Sequence, residues 1–231
     1  HIHSIKPSCL IGNNHHIAPF EGEDFQMFER DLPGENNHGW ADDQTISALP
    51  LEMCQTMNGM WGYKLVDQNY KSTAELIRLL VQTSGKGANL LLNVGPQPDG
   101  TLPETALSRL AEMGKWLETN GETIYGTQAG GYIEGDTLTT TRKDNRLFIH
   151  VLSDKVTRID MPLEGKVKRV IDFSQKSPLK YKFGKGRLTR GDISDRVGPL
   201  RIYNRGRDYG TQERTYRLSS GGVCRLQTIP F

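Results

Sequence analysis

The sequence predicts an α/β chain, with parallel βα units over roughly residues 1–127 and a second, all-β domain over 128–231, most simply a small sandwich. Three observations carry this. "ANLLLNV" (88–94) is a continuous apolar run ending in a turn cluster, the pattern of a strand covered on both faces of a parallel sheet. Segments with helical spacing stand on either side of it. After Thr127 the texture changes to short β-type runs separated by turn residues.

In order along the chain, "IHSIKP" is stopped by its proline, and "SCLIGNN" (8–14) reads as a buried strand running into a loop. A long stretch, about 15–50, is rich in His, Asn, Asp, Glu, Gly and Pro. Loops of this length in compact domains usually carry function or are disordered. Within it, "GEDFQMFERDLPG" (22–34) keeps no clean apolar period and reads as neither helix nor alternating strand. "PLEMCQTMNGMWGYK" (50–64) closes the loop with Leu51, Met53, Met57, Met60 and Trp61. Residues 72–83 form a helix: Ser72 caps, Glu75 completes a capping box, and Leu76, Leu79 and Leu80 share a face. Gly85 and Gly87 end it. After "GPQPDG" a second helix starts at Pro103 and stops at Asn120-Gly121.

Strand, loop, helix, strand, loop, helix is the order of parallel βα units, whose ligands sit at the C-terminal ends of the strands. Asn13, Asn14, the 15–50 loop and the Asn93–Gly100 turn therefore share one rim. In the second domain, "TLTTTRKDNRLFIHVL" (137–152) reads as two strands about a Lys143-Asp144-Asn145 turn. "VTRIDMPL" and "GKVKRVIDF" continue the β character, the latter with Val167, Arg169 and Ile171 alternating. From 187 onward nine Arg and no Lys follow with little alternation, and no function is assigned there.

Composition narrows the function classes. Net charge is +2, from 29 basic and 27 acidic side chains, which gives no electrostatic case for nucleic acid or an anionic membrane. The apolar runs fall far short of the roughly 20 residues a membrane helix needs. Cys9, Cys54 and Cys224 form no CxxC pair, and an odd count argues against a full disulfide framework. The first residue is His1, with no initiator Met or signal peptide, so the expectation is a domain already under way.

Within the loop, residues 22–35 hold five carboxylates: Glu23, Asp24, Glu29, Asp31 and Glu35. Any of them is a candidate acid. Glu29 has Phe25 and Phe28 as neighbours that would desolvate it toward the pKa of a general acid, while Arg30 acts the other way. His1, His3, His15, His16 and His38 have no carboxylate or Cys at ligand spacing, so neither a metal nor another cofactor is expected. Trp61 at a strand end can stack on a sugar or lie in the core. Trp40, inside the polar loop, is a candidate sugar platform.

Taken together, "DFQMFER", "LPLEMCQTMNGMWGY", "GKGANLLLNVGPQPDG" and "WLETNGETIYGT" resemble the second half of the catalytic domain of family 29 glycoside hydrolases, the α-L-fucosidases. The resemblance covers roughly residues 8–152. It implies the second half of a (β/α)8-like barrel followed by a β-sandwich, and retaining removal of α-linked L-fucose from oligosaccharides or glycoconjugates in a secreted, periplasmic or lysosomal setting. Glu29 falls at the acid/base position of "D-F-x-x-x-E", with Glu23 as the fallback. Trp61 matches the aromatic of "(W/F)GY" that packs near the fucose ring. Where many relatives carry Arg after the strand-end Asn, this chain has His15, which still donates to a sugar hydroxyl but lacks the bidentate reach of Arg. The family's nucleophilic Asp and fucose-binding histidines belong to an N-terminal half not matched in this sequence, and Asp67 and Asp99 stand on the wrong side of the motif order to replace it. The fragment alone is therefore expected to be inactive. The other reading is a non-catalytic carbohydrate-binding or structural module built around the β-domain.

Overall fold

The computed structural model describes residues 1–14, 21–38, 45–191, 198–204, 216–217 and 223–224, with side chains through Gly191. The chain divides into two compact units: His1–Met113 with Glu213–Phe231, and Gly114–Gln212.

The first unit opens with a short helix α1 (Ile2–Ile5) and is built on a parallel sheet in the order β1 (Gly12–Asn13), β2 (Phe25–Glu29), β3 (Leu51–Thr56), β4 (Ala88–Asn93). Helix α2 (Thr73–Gly85) connects β3 to β4, and α3 (Glu104–Asn120) follows. On one face of the sheet Phe28, Leu51 and Ala88 form a buried cluster. Further along that face Leu92 packs with Met57, Leu76, Ala106 and Met113, which brings the helices onto it. The opposite face carries Glu29, Cys54 and Leu91, which stand level with one another in the strand register. Leu91 is 51% exposed, so β4 is not covered on both faces as its unbroken apolar run predicts.

Two strands were hidden in the sequence by polar residues that the fold buries. Stretch 22–34 holds β2, in which Gln26 is fully buried on the core face. Its amide donates to Thr45 O (2.9 Å) and accepts from Ser47 N (2.8 Å), so it substitutes for the apolar residue an alternation would require. In β3, the buried Gln55 and Thr56 mask the period in the same way. The 8–14 reading is corrected in the other direction: only Gly12–Asn13 pair, and Leu10 is 39% exposed. Asp24 holds the preceding backbone instead, accepting from Ile11 N at 2.9 Å while its own N–H donates to Ile11 O at 2.7 Å. Gly12 leaves room for the Phe25 ring: a Cβ there would lie 2.5 Å from it, so the ring would have to shift.

Helix α2 starts as its sequence predicts. Ser72 Oγ accepts from Glu75 N, and Glu75 Oε2 accepts from Ser72 N at 2.7 Å. The helix runs through Gly85, and Gly87 (φ 79°) makes the exit. Ser72→Ala is expected to cost about 1 kcal/mol, read as a lower urea midpoint with an unchanged slope.

In the second unit the β-structure begins at Gln128. An antiparallel sheet has the order β5 (Gln128–Glu134), β6 (Leu138–Lys143), β7 (Arg146–Val151), β12 (Gly198–Asn204), β9 (Val167–Asp172). A second sheet has the order β10 (Lys182–Gly184), β11 (Arg187–Gly191), β8 (Arg158–Pro162). Leu138, Leu147, Ile149, Val151 and Val170 of the first and Ile159, Met161 and Leu188 of the second share one core. The β6–β7 hairpin turns at Asp144-Asn145, with Asp144 at φ 52°. Val170 and Asp172, not the Val167–Arg169–Ile171 series, are the buried members of β9. The register skips Lys168, and this bulge lets Val167 and Val170 both reach the core. The segment after 187, without an evident pattern, supplies β11 and also β12, which lies between β7 and β9. Among the described residues no helix is long and apolar enough to cross a membrane.

Candidate active site

Strand direction sorts the five clustered carboxylates. Glu23 precedes β2, and Glu29 ends it; six residues of extended chain separate them by roughly 20 Å. Glu23 and Asp24 are buried at the N-terminal end, where Asp24 also meets His3 Nε2 at 3.2 Å. Asp31 is 1% exposed and accepts from His38 N and binds its Nδ1 (2.8 Å), which closes the 31–38 turn. Glu35 binds Asn37 and lies 3.8 Å from Lys86 Nζ. Glu29 alone of the five stands at the C-terminal end of a parallel strand.

Glu29 Oε2 accepts from Asn14 Nδ2 at 2.7 Å, and Oε1 accepts from the Trp61 indole Nε1 at 3.1 Å. Asn14 follows β1, so residues from the ends of two neighbouring strands and the loop after β3 converge on one carboxyl. Phe28 is not a wall of this group, because it alternates onto the helix-covered face. Phe25 shares Glu29's face but lies four residues lower on the strand.

The segment bearing Trp61 is tied down at many points. Asn93 Nδ2 donates to Trp61 O at 2.7 Å, and Thr56 Oγ1 donates to Met60 O at 2.9 Å. Asp67 Oδ2 accepts from Gly59 N at 3.0 Å. Lys71 Nζ donates to Thr56 O at 2.7 Å; burial, then the Arg30 charge, lowers its pKa. Gly95 lies against this segment so closely that a Cβ would come within 2.5 Å of Tyr63 N. The Arg30 guanidinium is 5.2 Å from the Trp61 ring centroid and donates to Gly59 O at 3.0 Å.

Cys54, beside Glu29 in the register, is held as a neutral thiol: burial, then the charges of Glu29 and Glu52, push its pKa up. It offers no thiolate nucleophile. Burial also raises the pKa of Glu52 on the same face. Asp67 and Asp99 are turn residues. Asp99 accepts from Thr101 N and Oγ1, which hold its pKa down. Among the described residues no group of three or more His, Cys, Asp and Glu is placed to hold a metal. His15 and Trp40 lie outside the described residues. The contacts of Asn14 and Arg30 with the acid and the indole left no mark in residue spacing; only the position of Asn14 at a predicted strand end pointed to the rim.

A parallel α/β sheet with a carboxyl and an indole meeting at its C-terminal end, followed along the chain by antiparallel β-structure, defines the class of fold. Comparison with known proteins gives the family. The sequence model of the Alpha-L-fucosidase family matches residues 1–122, and the chain belongs to that family. It is 35% identical to the plasma alpha-L-fucosidase of Rattus norvegicus over 123 residues, 50% of this chain and 26% of that protein. It is 30% identical to the tissue alpha-L-fucosidase of Homo sapiens over 148 residues, 60% of this chain and 32% of that protein. The solved structure of alpha-L-fucosidase isoenzyme 1 from Paenibacillus thiaminolyticus is similar at 28% identity and a TM-score of 0.71, over 89% of this chain and 52% of that one. The chain thus spans about a quarter to a half of the length of these relatives.

Proposed function

We propose that this chain carries the acid/base half of a retaining α-L-fucosidase site, within a longer polypeptide that supplies the nucleophile. The observation that carries the reading is the Glu29 carboxyl, held by Asn14 and Trp61 at the end of β2. Family membership supports the substrate class, a terminal α-L-fucosyl group on an oligosaccharide or glycoconjugate. Under this reading β1–β4 are the second half of a (β/α)8-like barrel within residues 1–127, and the two sheets of the following domain form a sandwich. The share of the Paenibacillus chain that is matched supports the longer polypeptide.

Retaining hydrolysis needs two carboxyls roughly 5–5.5 Å apart. A carboxylate from the missing wall attacks the anomeric carbon while Glu29 protonates the departing oxygen. Glu29 then removes a proton from the water that releases fucose. Each carboxylate oxygen can accept two hydrogen bonds, so the contacts to Asn14 and Trp61 still leave room for the substrate. The Trp61 ring presents an apolar surface to the sugar. Glu23, at the other end of the strand, does not reach this rim.

The test compares two proteins on an aryl α-L-fucoside: the present chain, and a polypeptide that adds the upstream half of the barrel. The extended protein is expected to release the phenol and the chain alone to give no turnover. An extended protein that binds fucosides without hydrolysing them would point to the module instead.

A further inference from the structure

Arg30 directly follows Glu29 and has a left-handed backbone, with φ at 63°. This conformation costs a non-glycine residue on the order of 1 kcal/mol. Its N–H still donates to Cys54 O at 2.8 Å, so pairing with β3 continues through the kink. The kink takes the side chain out of the strand's alternation. What the guanidinium then meets is the Gly59 carbonyl and the Trp61 ring. Lys71 holds the same segment at Thr56 O, which brings two cations near one another at an electrostatic cost. Asn93, Asp67 and Lys71 fix the segment from β4 and from the chain beyond Trp61; Arg30 fixes it from the acid's own strand. A planar guanidinium can lie over an indole and donate to a carbonyl at once, which an ammonium cannot do with the same geometry.

We propose that Arg30 is a positioning residue for the acid: it locks the Trp61 segment to the end of β2 and so keeps the indole N–H on Glu29. The inference rests on the reading of Glu29 as the acid/base. Arg30 touches neither sugar nor leaving group in this role and acts through Trp61. Misplacing Trp61 displaces the carboxyl from the leaving oxygen and also moves the ring that faces the sugar, so the dependence of the loss on the leaving group is what singles out the protonation step.

Arg30→Gly is the cleanest test, because glycine accepts this backbone without strain. Arg30→Asn, also tolerant of the left-handed region, guards against a folding artefact. In the extended protein both are expected to lower kcat on an unactivated fucoside about ten- to a hundredfold, with KM rising as well as the Trp61 ring shifts from the sugar. An aryl fucoside with a good leaving group should lose much less, and Arg30→Lys should not restore the rate. In the present chain with Trp40→Phe and Trp116→Phe, either substitution should make Trp61 fluorescence easier to quench with acrylamide. Unchanged quenching and an unchanged dependence on the leaving group would overturn the proposal. Glu29→Gln, measured alongside, separates the two ideas. If it abolishes activity on the unactivated fucoside while Arg30→Gly matches wild type, only the role of Arg30 fails; if it keeps full activity, both fail.

Discussion

Glu29→Gln in the extended protein is expected to slow hydrolysis of an unactivated fucoside by about 10²–10⁴-fold, the usual contribution of a general acid. Glutamine keeps the shape of the group and still accepts the Trp61 N–H through its carbonyl oxygen, while the Asn14 amide turns to offer its own oxygen to the new NH2. What it loses is the transferable proton, so a large effect isolates chemistry from packing. The loss should depend on the leaving group. A phenolate that departs without protonation needs no acid in the first step, so fucosyl transfer to the nucleophile should stay near the wild-type rate. The second step still lacks its base. The fucosyl-enzyme should then accumulate, visible as a burst of phenol followed by slow turnover. The same variant of Glu23, Asp24 or Asp31 should show no such dependence on the leaving group. Asp24 holds the backbone before β2 and Asp31 the 31–38 turn, so their loss belongs to stability, and Glu23 lies buried at the other end of the strand from the rim.

The second large effect concerns the β-unit and acid. His150 is 1% exposed in β7, and burial pushes its pKa down to about 3. Thr141 Oγ1 donates to Thr123 O at 2.7 Å and lies 2.9 Å from His150 Nε2. The hydroxyl proton is thus committed to the carbonyl, so the imidazole must be the donor, which fixes the neutral Nε2–H tautomer. The neutral ring is the folded form, whereas the unfolded chain takes up a proton near 6.5. The contribution to stability is therefore complete above that value and is lost as pH falls from it toward about 3. Over the whole window the linkage amounts to a few kcal/mol, on the order of 1 kcal/mol per pH unit. Urea unfolding of the chain at a series of pH values between 7 and 4 reads this as a falling free energy. His150→Gln, which can still donate to Thr141, should flatten the fall relative to wild type even if it is less stable at pH 7. Parallel curves for the two proteins would remove His150 as the acid-sensitive group.

How much was legible follows from where the polar groups went. Helices α2 and α3, β4 and the β6–β7 hairpin could be read because capping, apolar runs and turn residues act locally. β2 and β3 could not, since Gln26, Gln55 and Thr56 are buried polar groups satisfied by partners far along the chain. The β12 strand escaped because pairing on both sides, through the backbone, places it in the sheet without needing an alternation in its sequence. At the site, the motif drew attention to Glu29 and Trp61 separately. Their meeting, and the part Asn14 and Arg30 play in it, depends on strand register and one left-handed residue, neither of which a one-dimensional pattern contains.

The anomeric configuration of the product formed with azide tests the central claim most directly. With Glu29→Ala in the extended protein and an activated aryl α-L-fucoside, the first displacement still forms the fucosyl-enzyme. Azide, which needs no deprotonation, then fits into the space left by the carboxyl and attacks from the face the leaving group occupied. The account predicts faster turnover with azide and an α-L-fucosyl azide, identified by NMR. A β-L-fucosyl azide, or no azide product with wild-type-like release of fucose, would contradict it.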